Sequence, residues 1–204
     1  MDGLAMHWYS NKNVSAKIMQ KAMEYIPDKF WMQTQASIIP SMMNENPVAP
    51  VDLGSWTRAE MYIRDILENL NYNSSGWLDW NLALNTEGGP SYLNRQVDSP
   101  MIVNATAGEI YKQPMYYAMG QVSKFIQPDS VRIDVTATTT VTCATCASCD
   151  NDVEHVAVET PDDSIVVVLY NRGEEEKTVL IHTDEHQVVT TLGAKTISTI
   201  EFAC

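Results

Sequence analysis

No apolar run in this 204-residue chain approaches the roughly 18–20 residues that span a bilayer, so no transmembrane helix is expected. The first residues, MDGLAMHWYS, lack a basic segment followed by an apolar stretch, so no signal peptide is read there. Basic side chains are scarce. Thirteen Lys+Arg face 26 Asp+Glu, a formal net charge of -13. That balance excludes nucleic-acid binding through a basic surface. Cysteine is missing before residue 128, and tryptophan and methionine are missing after residue 127. No internal repeat is present. What remains is a globular composition: an apolar share of 45% rules out a disordered or collagen-like chain, and the length suits one or two domains.

The uneven residue usage divides the chain. Residues 1–127 hold 9 basic and 12 acidic side chains, a net of -3, while residues 128–204 hold 4 and 14, a net of -10. All 5 Trp and all 11 Met fall in the first part, and all 4 Cys in the second. A boundary is therefore expected near Ile126–Ser130, where Pro128 and Asp129 also signal a turn, giving domains 1–127 and 130–204.

The first part reads as helices alternating with strands. Met19, Ala22, Met23 and Ile26 form a helical stripe within Val14–Ile26, and Phe30–Ser37 reads as a strand. Ser41–Leu53 reads as a loop. Thr57 and Glu60 have capping-box spacing ahead of an apolar face of Ile63, Ile66, Leu67 and Leu70. Asn71–Ser75 breaks that helix, and Gly76–Leu84 reads as a strand and its exit. Tyr111–Phe125 reads as a last helix with Pro114 in its first turn. This order predicts a parallel sheet wrapped by helices. In the second part Val131–Ala137, His155–Glu159, Ile165–Tyr170, Thr178–His182, Val188–Thr191 and Thr196–Phe202 are short and β-branched, the pattern of an antiparallel sandwich or barrel. Thr136–Cys149 reads as a Thr/Ala/Cys-biased loop.

Three segments carry a resemblance: His7-Trp-Tyr9; the run Gly76–Pro90 followed by Val97-Asp-Ser-Pro100; and Tyr111–Tyr116 leading into Ser123-Lys-Phe125. They resemble the glucosylceramidases, or acid β-glucosidases, of glycoside hydrolase family 30. The resemblance implies an α/β plus all-β fold, a (β/α)8 TIM barrel followed by an antiparallel β-sandwich. It maps this chain onto the C-terminal part of the barrel only. His7-Trp-Tyr9 would end the sixth strand, Phe30–Ser37 would be the seventh and Gly76–Leu84 the eighth.

Such enzymes are retaining glycosidases. One carboxylate attacks the anomeric carbon, and a second, about 5–5.5 Å away, protonates the leaving oxygen and then activates water. The resemblance places the acid/base Glu on an earlier strand and the nucleophile in a polar-Glu-Ala stretch at the end of the seventh. That stretch reads Met32-Gln-Thr-Gln-Ala36 here, so Gln35 takes the nucleophile position. A carboxamide forms no stable glycosyl ester, although it can hydrogen-bond a sugar. The chain is therefore expected to be truncated and catalytically incompetent, the alternative being a non-catalytic sugar-binding or regulatory paralogue. The resemblance also marks Tyr9 and Trp80 as substrate-binding residues, while Trp77 is expected in the core. Glu45, Asp79 and Glu87 are the substitute carboxylates to weigh. Their ordinary roles are a solvated loop charge, a structural acceptor and a turn residue. By strand alternation, Asp79 and Trp80 should face opposite ways.

The implied substrate is glucosylceramide, in sphingolipid catabolism, with an activator protein as a partner and no cofactor or metal. Cys143, Cys146 and Cys149 have C-x2-C-x2-C spacing. They read either as a zinc site completed by Cys204, His155, His182 or His186, or as a loop with thiols or a disulfide, the favoured reading. Asn13-Val-Ser15, Asn73-Ser-Ser75 and Asn104-Ala-Thr106 are N-glycosylation sequons, which agree with a lysosomal or secretory location. An acidic compartment also suits the -10 tail, because partial protonation of carboxylates eases their repulsion.

Overall fold

A computed structural model describes residues 2–10, 14–40, 49–136, 152–183 and 187–203. Glu45, Asn13, His186 and all four cysteines lie outside them, as do the readings that rest on those residues. Backbone contacts divide the chain into two units, Met1–Met119 and Gly120–Cys204. The division lies ahead of the composition break at Ile126–Ser130.

In the first unit, β1 (Gly3–Met6), β2 (Phe30–Ala36) and β3 (Trp77–Asp79) form a parallel sheet in that order. Helix α1 (Lys17–Met23) connects β1 to β2, and α2 (Trp56–Asn71) connects β2 to β3. These are two β-α-β units of a (β/α) barrel, and among the described residues no barrel closes. Of the expected stripe, Met19 buries against Trp31 of β2 beside Ala16, the N-cap, and Met23 packs at the margin; the helix ends at Met23, ahead of Ile26. Helix α2 buries Ile63, Ile66 and Leu67.

Several boundaries differ from the sequence reading. Helix α2 begins at Trp56 with Ser55 as its N-cap, so Thr57 and Glu60 lie inside its first turns and form no capping box. The Gly76–Leu84 segment is split: β3 ends at Asp79, and Ala83–Asn85 forms β4 of a second sheet. There β4 pairs in parallel with β5 (Met101–Asn104), and β5 forms an antiparallel hairpin with β6 (Glu109–Lys112). Tyr111 and Lys112 therefore belong to a strand, and the last helix, α3, spans Pro114–Ser123. Pro114 supplies the break: it has no N–H for the ladder and suits a first helical turn.

The second unit is antiparallel β-structure. Strands β12 (Thr196–Ala203), β9 (Ser164–Asn171), β8 (Val153–Glu159) and β7 (Val131–Ile133) make one sheet in that order, and β10 (Lys177–His182) pairs with β11 (Gln187–Leu192). Ala157, Val167, Leu169 and Leu192 form the buried centre, with Val179, Ile181, Ile200 and Phe202 packed on it. Side chains from both sheets fill this layer, so the unit is a β-sandwich. Strand β7 stops at Ile133, short of the expected Ala137.

Candidate active site

The C-terminal ends of β1, β2 and β3 converge, and in a (β/α) barrel those ends carry the active site. After β1 the chain makes a short 3-10 turn, Trp8–Ser10. Trp8 is buried, and its indole N–H donates to the Ser37 carbonyl at 3.1 Å, tying the turn to the segment after β2. Tyr9 beside it is half-buried, and its hydroxyl donates to the main-chain carbonyl of Gln35 at 2.8 Å. The end of β1 and the end of β2 are thus joined at two of the residues singled out from sequence.

Gln35 has φ 61°, in the left-handed region. A non-glycine residue there is uncommon and strained. The pairing explains it. Gln33 lies opposite Trp77 and Ala36 opposite Asp79, so two residues on β2, Thr34 and Gln35, stand between the pairs against one, Leu78, on β3. The extra residue is a β-bulge, a device that bends a strand and re-aims a side chain. Burial follows the slip: Trp31, Gln33 and Ala36 are buried, spaced by two and then by three. An uninterrupted strand would leave Gln35 on the face of Trp31 and Gln33. The bulge removes Gln35, the residue the resemblance sets at the nucleophile position, from that alternation.

Strand β3 alternates as expected. The Trp77 indole N–H donates to Asp65 Oδ2 at 2.6 Å, and the Tyr62 hydroxyl donates to Asp79 Oδ2 at 2.9 Å, so Trp77 and Asp79 both face α2. Leu78 and Trp80 take the opposite face and are 49% and 46% exposed. Trp80 N–H donates to the Ala36 carbonyl at 2.8 Å, which sets the indole one residue beyond the bulge. Asp79 sits over an aromatic cluster in which Tyr62 meets Trp8 and Trp77 edge-on, at centroid distances of 5.3 and 5.1 Å. Burial there pushes its carboxyl up to about 7, despite hydrogen bonds from Tyr62 and from the backbone of Asn81 and Trp80. Burial, and then the Asp79 charge, raises the Tyr62 hydroxyl well above its ordinary value and raises Tyr9 as well. Asp79 is held by the helix layer, away from the face of Trp80. Glu87 is exposed in the turn after β4, where its N–H donates to Asn85 Oδ1 at 3.0 Å.

Behind the site lies a buried polar cluster that hydrophobic spacing does not reveal. Arg58 of α2 pairs with Asp98, and its guanidinium donates to the Pro50 and Ala49 carbonyls at 2.8 and 2.9 Å. Asp98 also accepts from Gln113 Nε2 at 2.5 Å and from the Ser99 and Asp52 N–H groups at 2.9 and 3.3 Å. The Asp98 N–H donates to the Ile38 carbonyl, and its carbonyl accepts from Ser37 Oγ. This cluster fastens the segment after β2 to the segment before β5. The Gly-Gly-Pro turn joins it: Gly88 has φ 80°, and a Cβ there would run into the Val97 carbonyl. Among the described residues no group of three or more His, Cys, Asp or Glu is placed to hold a metal ion.

Comparison with known proteins agrees with this fold. Residues 1–126 match the glycosyl hydrolase family 30 TIM-barrel domain, and residues 129–200 match the family's beta sandwich domain. Mouse lysosomal acid glucosylceramidase is 38% identical over 175 residues, covering 85% of this chain and 31% of the relative. A Caenorhabditis elegans chain named as glucosylceramidase 2 is 34% identical over 206 residues, covering 98% of this chain and 36% of its own length. The chain thus spans about a third of the curated relatives it matches. Among solved structures, SrfJ from Salmonella typhimurium superposes with a TM-score of 0.80 at 25% identity, over all of this chain and 41% of that one. An endo-beta1,6-glucanase gives 0.77 at 20% identity and supports the fold alone. With a partial barrel, a β-sandwich and both domain matches in hand, the chain belongs to glycosyl hydrolase family 30.

Proposed function

We propose that this chain carries the sugar-binding end of a glucosylceramidase-type glycosidase and, as these 204 residues, does not hydrolyse its ligand. The observation that carries the reading is the bulge at Gln35: a strained residue at the end of β2, its carbonyl held by Tyr9, beside an exposed Trp80. Trp80 offers a flat apolar face to the C–H side of a pyranose. The Gln35 carboxamide can hydrogen-bond sugar hydroxyls but cannot form the glycosyl ester of a retaining mechanism. Asp79 does not replace it, because its carboxyl is engaged by Tyr62 on the α2 side.

The named relatives suggest a glycolipid ligand of the glucosylceramide kind and a lysosomal or secretory setting, in which an activator protein would be a natural partner. On this reading residues 1–127 supply the sugar site and residues 130–204 form the sandwich. The test is labelling with a mechanism-based cyclitol epoxide, followed by peptide mapping, alongside titration with a β-glucoside. Saturable glucoside binding without covalent label is expected. Label on Glu45, Asp79 or Glu87 would overturn the non-hydrolytic reading, and absence of binding would overturn the sugar site.

A further inference from the structure

We propose that Asn73 is an N-glycosylation acceptor and that the sequon at Asn104 is not used, an inference that rests on the secretory setting proposed above. Two of the three sequons lie wholly within the described residues, and their environments differ. Asn73 directly follows Tyr72, the C-cap of α2, and has φ 63°. Asparagine is one of the few residues that take this left-handed turn conformation readily. Asn73 and Ser75 are both exposed, so the acceptor and the hydroxyl residue of the triplet are both presented to solvent.

Asn104 is half-buried in the β5–β6 hairpin, and both ends of its amide are used. Its Nδ2 donates to the Tyr111 hydroxyl at 3.1 Å, and its Oδ1 accepts the Ala107 N–H at 3.1 Å. The same Tyr111 hydroxyl donates to Glu109 Oε2 at 2.6 Å. A sugar on Nδ2 would occupy the space of the Tyr111 hydroxyl and break this chain of bonds.

The chemistry is a glycosyl transfer. The Asn73 Nδ2 forms a bond to the anomeric carbon of a lipid-pyrophosphate-linked oligosaccharide and loses one proton, while the lipid pyrophosphate departs with the electrons of the cleaved C–O bond. The position suits a bulky addition. Asn73 precedes β3, and the neighbouring Ser75 N–H donates to the carbonyl of Trp31 near the start of β2. A glycan there leaves from the N-terminal end of the sheet, opposite Tyr9, Gln35 and Trp80.

The chain is to be secreted from cultured animal cells behind a cleavable leader, with a reference sequon appended at its C-terminus to report entry. Amidase release in heavy-oxygen water and peptide mass spectrometry then read each site. Expected is conversion at Asn73 and at the reference sequon, with none at Asn104. The gel shift due to Asn73 should vanish in Asn73→Gln and in Ser75→Ala, which leaves the turn residue intact, and should persist in Thr106→Ala. A modified reference sequon with an unmodified Asn73, or a modified Asn104, would overturn the inference. The protein taken from its own tissue separates the two ideas. An unmodified native Asn73 beside a modified leader-driven one would reject the secretory setting while leaving the acceptor assignment in place.

Discussion

At the residue scale, the proposed sugar site divides its work among three side chains: Trp80 would supply area and Gln35 polar contact, while Tyr9 holds the Gln35 carbonyl. Trp80→Ala should weaken glucoside binding at least tenfold with little change in folding, since about half the indole is already in water. Equal binding by wild type and variant would remove Trp80 from the site. Asp79 makes a different prediction, about pH. Its folded pKa of about 7 lies above the unfolded value of about 3.9, so the folded state holds a proton that the unfolded state releases between those values. Its contribution is fully present below about pH 4 and is lost as the pH rises through about 7. The size is on the order of 4 kcal/mol at most. Wild type should therefore unfold at a lower denaturant concentration at pH 8 than at pH 5, and Asp79→Asn should flatten that difference. An unchanged pH slope in the variant would assign the effect elsewhere. The sequence pointed to Tyr9 and Trp80 through two of the motifs that carry the resemblance, and to Gln35 through the Met32–Ala36 stretch; the structure places the three near one end of the parallel sheet. The bulge was not legible in the sequence, because Phe30–Ser37 reads as a smooth strand and only pairing with β3 exposes the extra residue. Tyr62 was likewise hidden: helical spacing puts it beside Ile63 and Ile66 but cannot show that its hydroxyl meets a carboxylate from β3.

At the element scale, the spacing rules found β2 and β3, the two crossover helices and all six strands of the second unit, while β1 came only from the resemblance, as the strand that His7-Trp-Tyr9 would end. They missed the β5–β6 hairpin, although Pro100 before it and Gly108 within it, at φ 68°, mark its ends. The reason is length: four residues a side are too few for alternation to stand out, and Tyr111 and Lys112 run directly into the first turn of α3. The loops around the site are fixed by the Arg58–Asp98 cluster together with an apolar cluster of Leu84, Val97 and Ile102, on which Ile39 and Val51 pack. Arg58→Met removes the cation and leaves Asp98 buried with only neutral donors. A buried pair broken in this way costs about 3–5 kcal/mol. Urea unfolding should show a loss of that order. Asp98→Asn should cost less, since the amide oxygen still accepts from Arg58 and the remaining conflict is with the donors around it. If Arg58→Met were neutral, the cluster would not be what holds these segments. For scale, Trp31→Ala, which empties the pocket between β2 and α1, should cost about 3–5 kcal/mol by cavity formation.

At the scale of the whole chain, the two faces of the parallel sheet are treated differently. The α-helical side is filled: Trp31, Gln33, Ala36 and Trp77 meet α1, α2 or the polar groups between them. On the other side, Leu78 and Trp80 are about half exposed, and Phe30 at the start of β2 is 46% exposed. In a closed (β/α)8 barrel the inward residues of alternate strands stack in layers and bury one another, and three strands cannot complete such a layer. The outer edge of β1 is also unpaired among the described residues, and a free strand edge is a template for pairing with another chain. The 204 residues expressed alone should therefore bind a hydrophobic dye and self-associate as concentration rises. The sandwich unit, whose Ala157, Val167, Leu169 and Leu192 are already enclosed, offers an internal contrast. Hydrogen exchange should protect β8 and β9 far more strongly than β1–β3. Supplying a segment that covers the exposed face should suppress dye binding and raise protection in β1–β3 together. Monomeric, cooperative unfolding without dye binding, and equal protection of both sheets, would show that the three-strand sheet is self-sufficient and would remove the physical ground for expecting a further layer on it.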